Sequence, residues 1–243
     1  MIECDQVENL IYGNRMQLLV TNDDGIDAHG LAALVDAVRN VGTPIVVAPN
    51  EQQSGCSHSV TTGKPVRMEP RGRDRYAIFG TPADCVRVGL SRITPEARWV
   101  LAGINHGGNL GADVYYSGTV AAVREAVLHG WPGIAVSYYK KKHLEYDWSR
   151  VIPWVTKAIA SIMEREPEPG VLWNINLPHI EPTDPDPAVV YCKLDPHPLP
   201  LSFRHGEDGM LYDGDYHSRQ RGPETDVDCC FGGRIAVTQI RLF

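Results

Sequence analysis

The sequence predicts a doubly wound α/β domain on a mostly parallel sheet, with a β-rich C-terminal extension. Three observations carry that expectation. Short apolar runs recur along the chain, each closing on a polar or glycine-rich turn. Stretches with helical spacing separate them. Strand, helix and strand follow one another between Leu18 and Ala48, which is the βαβ unit of a parallel sheet with a right-handed crossover.

The elements read in order as follows. Residues 1–15 show no periodicity and form a leader, ahead of a core over 16–180 and an extension of the same domain over 181–243. Leu18, Leu19 and Val20 make a buried strand that runs into Thr21, Asn22, Asp23, Asp24 and Gly25. Leu31, Leu34, Val35 and Val38 have i, i+3, i+4, i+7 spacing and predict a helix. Residues 45–48 form the next strand, and residues 59–79 read as a hairpin around Gly63 and Pro65. Thr81, Pro82 and Asp84 predict a helix start, with a threonine cap, proline in the first turn and an acid three residues after the cap. Residues 99–102 are a third buried strand, opening into a glycine- and asparagine-rich loop over 103–118. A helix over 119–129, a strand over 134–137, a helix over 148–163 and a strand over 171–177 follow. Beyond Pro178, residues 181–230 are expected to be extended, irregular or hairpin structure, and residues 234–240 alternate like a closing strand. The pattern as a whole is Rossmann-like.

Bulk properties narrow the function. The chain has 243 residues, 43% hydrophobic and 22% charged, which suits a globular domain with a sizeable core. A net charge of −7 argues against a nucleic-acid polymer as partner. It allows a small anionic substrate, because clustered donors or a metal invert the field inside one cleft. No stretch approaches the roughly 20 apolar residues of a membrane span. Residues 1–6 are polar and acidic, unlike a secretory signal. The six cysteines lack CxxC spacing and read as reduced thiols, so a cytoplasmic location is expected. For Cys229 and Cys230 a structural role is favoured over a redox or metal site, since nothing nearby completes one.

Three polar clusters fall where strands end. Asp23 and Asp24 are adjacent carboxylates in a tight turn; a hard divalent cation would relieve their repulsion, although a plain β-turn with a helix cap explains them equally well. Residues 49–59, with Ser54 among them, offer hydroxyls and amides, and alone would pass for an ordinary loop. Residues 103–111 hold four glycines, which brings backbone close to a ligand, and Ser117, Gly118 and Thr119 sit where a helix begins. Amides at a helix start form an anion site, and the same hydroxyls also serve as caps. Neither GxGxxG after the first strand nor a P-loop is present. The oxygen donors favour magnesium, manganese or calcium over zinc.

The segments LLVTNDDGIDAHGL, VVAPNEQQSGCSHSVT, FGTPADCVRVGL and AGINHGGNLGADVYYSGTVAAVREA together resemble the SurE (survival protein E) family of 5′-nucleotidases, in the family's order and over roughly residues 16 to 180. The resemblance implies a metal-dependent phosphatase for nucleoside 5′-monophosphates, in some members also for 3′-nucleotides or short polyphosphate. It implies one divalent ion per subunit, magnesium or manganese, with calcium as a non-activating occupant. Matched residue by residue, the metal ligands fall on Asp23, Asp24, Ser54 and Asn105, and the phosphate-receiving part on Asn109, Ser117, Gly118 and Thr119. Catalysis would then involve Asp23, Asp24 and Asn109, with either aspartate orienting the attacking water. His58 and His106 lie in motif loops and are candidates for acid–base groups, and the resemblance fixes no role for them. Lys140, Lys141 and Lys142 read as a solvated run. A homo-oligomer, dimer or tetramer, is expected. Many members continue into a C-terminal arm exchanged between subunits; this sequence stops at Phe243, so the swapped-arm form is not expected. Two other readings stand beside this one: a haloacid-dehalogenase-type phosphatase with Asp23 as covalent nucleophile, and a nucleotide-binding module without turnover.

Overall fold

The computed structural model describes residues 15–141 and 143–243; residues 1–14, with Cys4, and Lys142 lie outside the described residues. A nine-stranded sheet organises the chain. In chain order the elements are β1 (Gln17–Thr21), α1 (His29–Val38), β2 (Thr43–Pro49), β3 (Met68–Pro70), β4 (Arg75–Ile78), α2 (Pro82–Val88), β5 (Trp99–His106), α3 (Gly118–Leu128), β6 (Gly133–Tyr138), α4 (Trp148–Met163) and β7 (Val171–Leu177). Then come β8 (Val189–Cys192), β9 (Phe203–Gly206), β10 (Gly209–Tyr212), α5 (Asp226–Phe231) and β11 (Ile235–Arg241). The order across the sheet is β3-β4-β2-β1-β5-β6-β7-β11-β8, and all neighbours from β4 to β7 are parallel. This is the doubly wound, Rossmann-like arrangement.

Strand alternation explains why helices cover both faces. Leu18 and Val20 of β1 pack with Val46, Leu101 and Val136 against Leu34 and Val38 of α1 and Val155 and Ile159 of α4. Leu19 points the other way, and packs with Val47 and Val100 against Val86 of α2 and Val123 of α3. Each parallel strand is therefore apolar on both sides, which is why these segments read as continuous runs. The predicted start of α2 is a full capping box: the Thr81 side chain accepts from the Asp84 N–H, and the Asp84 carboxylate accepts from the Thr81 N–H.

Two expectations need correction. The hairpin over residues 59–79 is only β3 against β4; residues 59–67 are an extended loop pinned to α2, with the Thr61 N–H and hydroxyl both donating to Asp84 (2.8 and 2.7 Å). In the extension, β11 inserts between β7 and β8, antiparallel to β7, and the short helix α5 lies where irregular chain was expected. β9 and β10 form a separate hairpin.

Candidate functional site

From β1 the chain winds outward to β2 and β4, then returns to the opposite side of β1 as β5. Loops leaving the carboxyl ends of β1 and β5 therefore diverge, and ligands of such sheets bind in the crevice between them.

The turn after β1 is tightly specified. The Asn22 side-chain amide donates to the Gly25 carbonyl at 2.9 Å. Gly25 has φ +102°, and a Cβ there would press on the Glu51 and Gln52 backbone. The Gln53 N–H donates to the Asp23 carbonyl at 2.7 Å, so the loop after β2 is fastened to this turn. Ser54 follows in that loop, exposed, its hydroxyl accepting from the Gln52 side chain at 2.8 Å.

Asp23 is only 6% exposed, and the Thr119 hydroxyl donates to its Oδ1. Burial pushes the Asp23 carboxyl up to about 6; the Thr119 bond opposes that shift, and the Asp24 charge adds to it. Gly118 presses against the same carboxylate, since a Cβ on it would lie 3.0 Å from both Cβ and Oδ2 of Asp23. Ser117 caps the helix, its hydroxyl accepting from the Val120 N–H at 3.0 Å. Asp24 is held from the other strand: its Oδ2 accepts from the His106 N–H and lies 3.1 Å from His106 Nδ1. The His106 ring meets Trp148 and Tyr146 edge-on.

Asn105 precedes His106, half-buried, its side-chain amide donating to the Gly107 carbonyl at 2.9 Å. Asn109 is buried and tied to the ends of β6 and β7. Its N–H donates to Asn176 Oδ1 (2.8 Å), its Nδ2 donates to the Ser137 hydroxyl (2.7 Å), and its carbonyl accepts from Asn174 and Asn176 (2.8 and 3.0 Å). Sequence reasoning missed these partners. The signal was present, because two asparagines at alternate positions in an otherwise apolar strand must be satisfied by something.

The structure thus joins Asp23, Asp24, Gly118 and Thr119 directly, links Asn105 to the pair through its neighbour His106, and links Ser54 through Gln53. Asn109 stands on the β6 and β7 side of the same loop. The two motif histidines part company: His106 touches Asp24, whereas His58 Nε2 sits 2.8 Å from Glu125 of α3. Lys140 pairs with Glu145 and lies over the Tyr146 ring, and Lys141 pairs with Glu181. Cys229 and Cys230 are buried free thiols, and burial raises the pKa of Cys230. Among the described residues no cluster of three or more His, Cys, Asp or Glu side chains is placed to hold a metal ion. Among the described residues no helix is long and apolar enough to cross a membrane.

Residues 18–195 match the family model described as survival protein SurE. A protein of Nostoc whose name proposes 5′-nucleotidase activity is 47% identical, over 93% of this chain and 100% of its own length. The 5′-nucleotidase SurE of Methylorubrum populi is 37% identical, with 93% of each chain covered. The crystal structure of the SurE protein from Aquifex aeolicus superposes with a TM-score of 0.82 at 27% identity, covering 93% of this chain and 94% of that one.

Proposed function

This chain belongs to the SurE family, and on that premise we propose that it is a metal-dependent 5′-nucleotidase, releasing phosphate from nucleoside 5′-monophosphates, with 3′-nucleotides and short polyphosphate as secondary substrates. The observation that carries the reading is the junction of Asp23 with Thr119: a desolvated carboxylate, beside a second one, is held against the start of a helix.

The residues fit a hard divalent ion. Two adjacent carboxylates, one buried, call for positive charge, and the His106 ring reaches only Asp24. The buried Asn22 Oδ1 beside them has no hydrogen-bond partner among the described residues. Asp23, Asp24, Ser54 and Asn105 offer oxygen atoms, the donor type of magnesium and manganese, with calcium as a non-activating occupant. One ion per subunit is proposed. When bound, it neutralises phosphate charge and lowers the pKa of water.

The chain's own groups divide the remaining work. Thr119 is engaged with Asp23, so its part is to hold that carboxylate. The Gly118 amide at the helix start and the second Nδ2 hydrogen of Asn109, beyond the one given to Ser137, donate to the phosphate oxygens. Whichever of Asp23 and Asp24 keeps a free oxygen orients the attacking water. A homo-oligomer, dimer or tetramer, is part of the proposal; the exposed Phe203, Met210 and Leu211 of the β9–β10 hairpin support it. The free thiols Cys56, Cys85, Cys192, Cys229 and Cys230 fit a reducing, cytoplasmic compartment.

The test is a panel of 5′- and 3′-nucleotides and polyphosphate, assayed with magnesium, manganese, calcium or chelator. Phosphate release from 5′-nucleotides that chelator abolishes supports the proposal. Inactivity across the panel, with phosphate still bound, would replace it with the binding-module reading. Trapping of a phospho-aspartate would replace it with the covalent mechanism.

A further inference from the structure

The loop that carries Asn109 is poor in side chains that could hold it, since Gly107, Gly108 and Gly111 surround that residue. It is held instead from the C-terminal extension. The Arg219 side chain is fully buried; its Nη2 donates to the Leu110 carbonyl at 2.8 Å, and its Nη1 lies 3.2 Å from Asp113 Oδ2. The Tyr216 hydroxyl donates to the same Oδ2 at 2.5 Å, and so does the Leu110 N–H at 3.0 Å. Asp226 is fully buried too. Its Oδ2 accepts from the Gly111 N–H at 2.8 Å, while its Oδ1 accepts from Asp195 and Val227 within its own segment. Gly111 has φ +53°, and a Cβ on it would lie 2.7 Å from Arg219 Nη2, so the fit leaves no room for a side chain.

These contacts extend to the helix start. The Asp113 backbone carbonyl accepts from the Tyr116 and Ser117 N–H groups, both at 3.0 Å. Ser117 in turn caps α3. Arg219 therefore grips one residue, Asp113, whose main chain sets the cap, and another, Leu110, that adjoins Asn109. A buried guanidinium and a buried carboxylate are costly to desolvate. A mobile glycine-rich loop would otherwise have to be ordered by the ligand at the expense of affinity.

We propose that Arg219 and Tyr216 are positioning residues, which fix the 107–117 loop in the geometry that receives phosphate before the ligand arrives. The inference rests on the reading of Asn109 and the α3 start as the phosphate site. Neither residue touches substrate; both act through Asp113, and Arg219 also through Leu110.

The test uses the full-length protein with manganese, and compares Arg219→Lys and Tyr216→Phe with the unmodified chain. Titration calorimetry reads the affinity for manganese alone and for inorganic phosphate with manganese present; melting reads the fold. Lysine keeps the charge but cannot bond Leu110 and Asp113 as a fork. Arg219→Lys should weaken phosphate binding by roughly tenfold to a hundredfold, while manganese affinity stays within about twofold. Tyr216→Phe, which leaves Arg219 in place, should show a smaller loss in the same direction. Folded variants that bind phosphate like the unmodified chain would overturn the proposal. So would phosphate and manganese affinities falling together with the melting temperature, which is the mark of a merely structural role. Should Arg219→Lys fail to fold, Tyr216→Phe decides on the same two readouts. An unmodified chain that binds phosphate but releases none from nucleotides removes the nucleotidase reading alone, and the variants still decide this one. An unmodified chain that binds no phosphate overturns both.

Discussion

The Thr119 hydroxyl donates to Oδ1 of Asp23, joining the start of α3 to the turn after β1 across 96 residues of sequence. The carboxylate pair and the candidate anion site are therefore one unit, and neither shifts without the other. Thr119→Val keeps the shape and removes the donor. It should lower kcat by roughly tenfold to a hundredfold, whereas Thr119→Ser should keep most of the activity. Steady-state kinetics on a 5′-nucleotide at saturating manganese checks both.

Asp23 should make the metal-free protein less stable at neutral pH than in mild acid. Its folded-state carboxyl is raised from 3.8 to about 6, so between these values the folded state holds a proton that the unfolded chain has lost. The stability from that proton is fully present below about pH 4, falls as pH rises through about 6, and stays lost above it, on the order of 2–3 kcal/mol. Urea denaturation in chelator at pH 4.5 and 7.5 should show a larger decline for the unmodified chain than for Asp23→Asn. Equal declines would contradict this account.

Gly30 of α1 lies against the end of β5, where a Cβ would collide with the Ile104 carbonyl oxygen. Gly30→Ala must push α1 away from the strand that leads to Asn105 and His106. A loss of about 1–3 kcal/mol is expected from such overpacking, with manganese affinity falling as well. Chemical denaturation and metal titration measure the two effects.

Glu125 of α3 is nearly buried and receives His58 at 2.8 Å and His129 at 3.0 Å, with Arg87 at 3.6 Å. Glu125→Ala releases the loop that holds His58 and leaves these groups unpaired. It should cost about 1–3 kcal/mol and leave the Asp23–Thr119 junction in place. Activity should fall far less than for Thr119→Val, which denaturation and kinetics together will show.

Much of this was legible in the sequence because it is local. The runs at Leu18, Ile45 and Val100 are apolar on both faces, as parallel strands must be, and Thr81 to Asp84 spells a cap within four residues. The aspartates stood out because they follow the end of a strand, and the Ser117 to Thr119 turn because it begins a helix. Long-range pairings were not legible. Nothing near His58 names Glu125 as its partner, nothing near Asp24 names His106, and Arg219 reaches Leu110 across 109 residues. The hairpin over 59–79 was overdrawn for a related reason: Thr61 bonds Asp84 of a helix rather than a neighbouring strand, and strand pairing begins only at Arg67, whose carbonyl accepts from the Phe79 N–H.

The central claim is that phosphate release depends on a divalent ion held by the paired aspartates. The direct measurement titrates manganese into chelator-stripped protein and follows phosphate release from a 5′-nucleotide, with Asp23→Asn in parallel. The account predicts no activity without metal, saturation at one ion per chain, and at least a hundredfold lower activity for the variant. Activity that survives chelation, or a variant whose rate and manganese dependence match those of the unmodified chain, would contradict it.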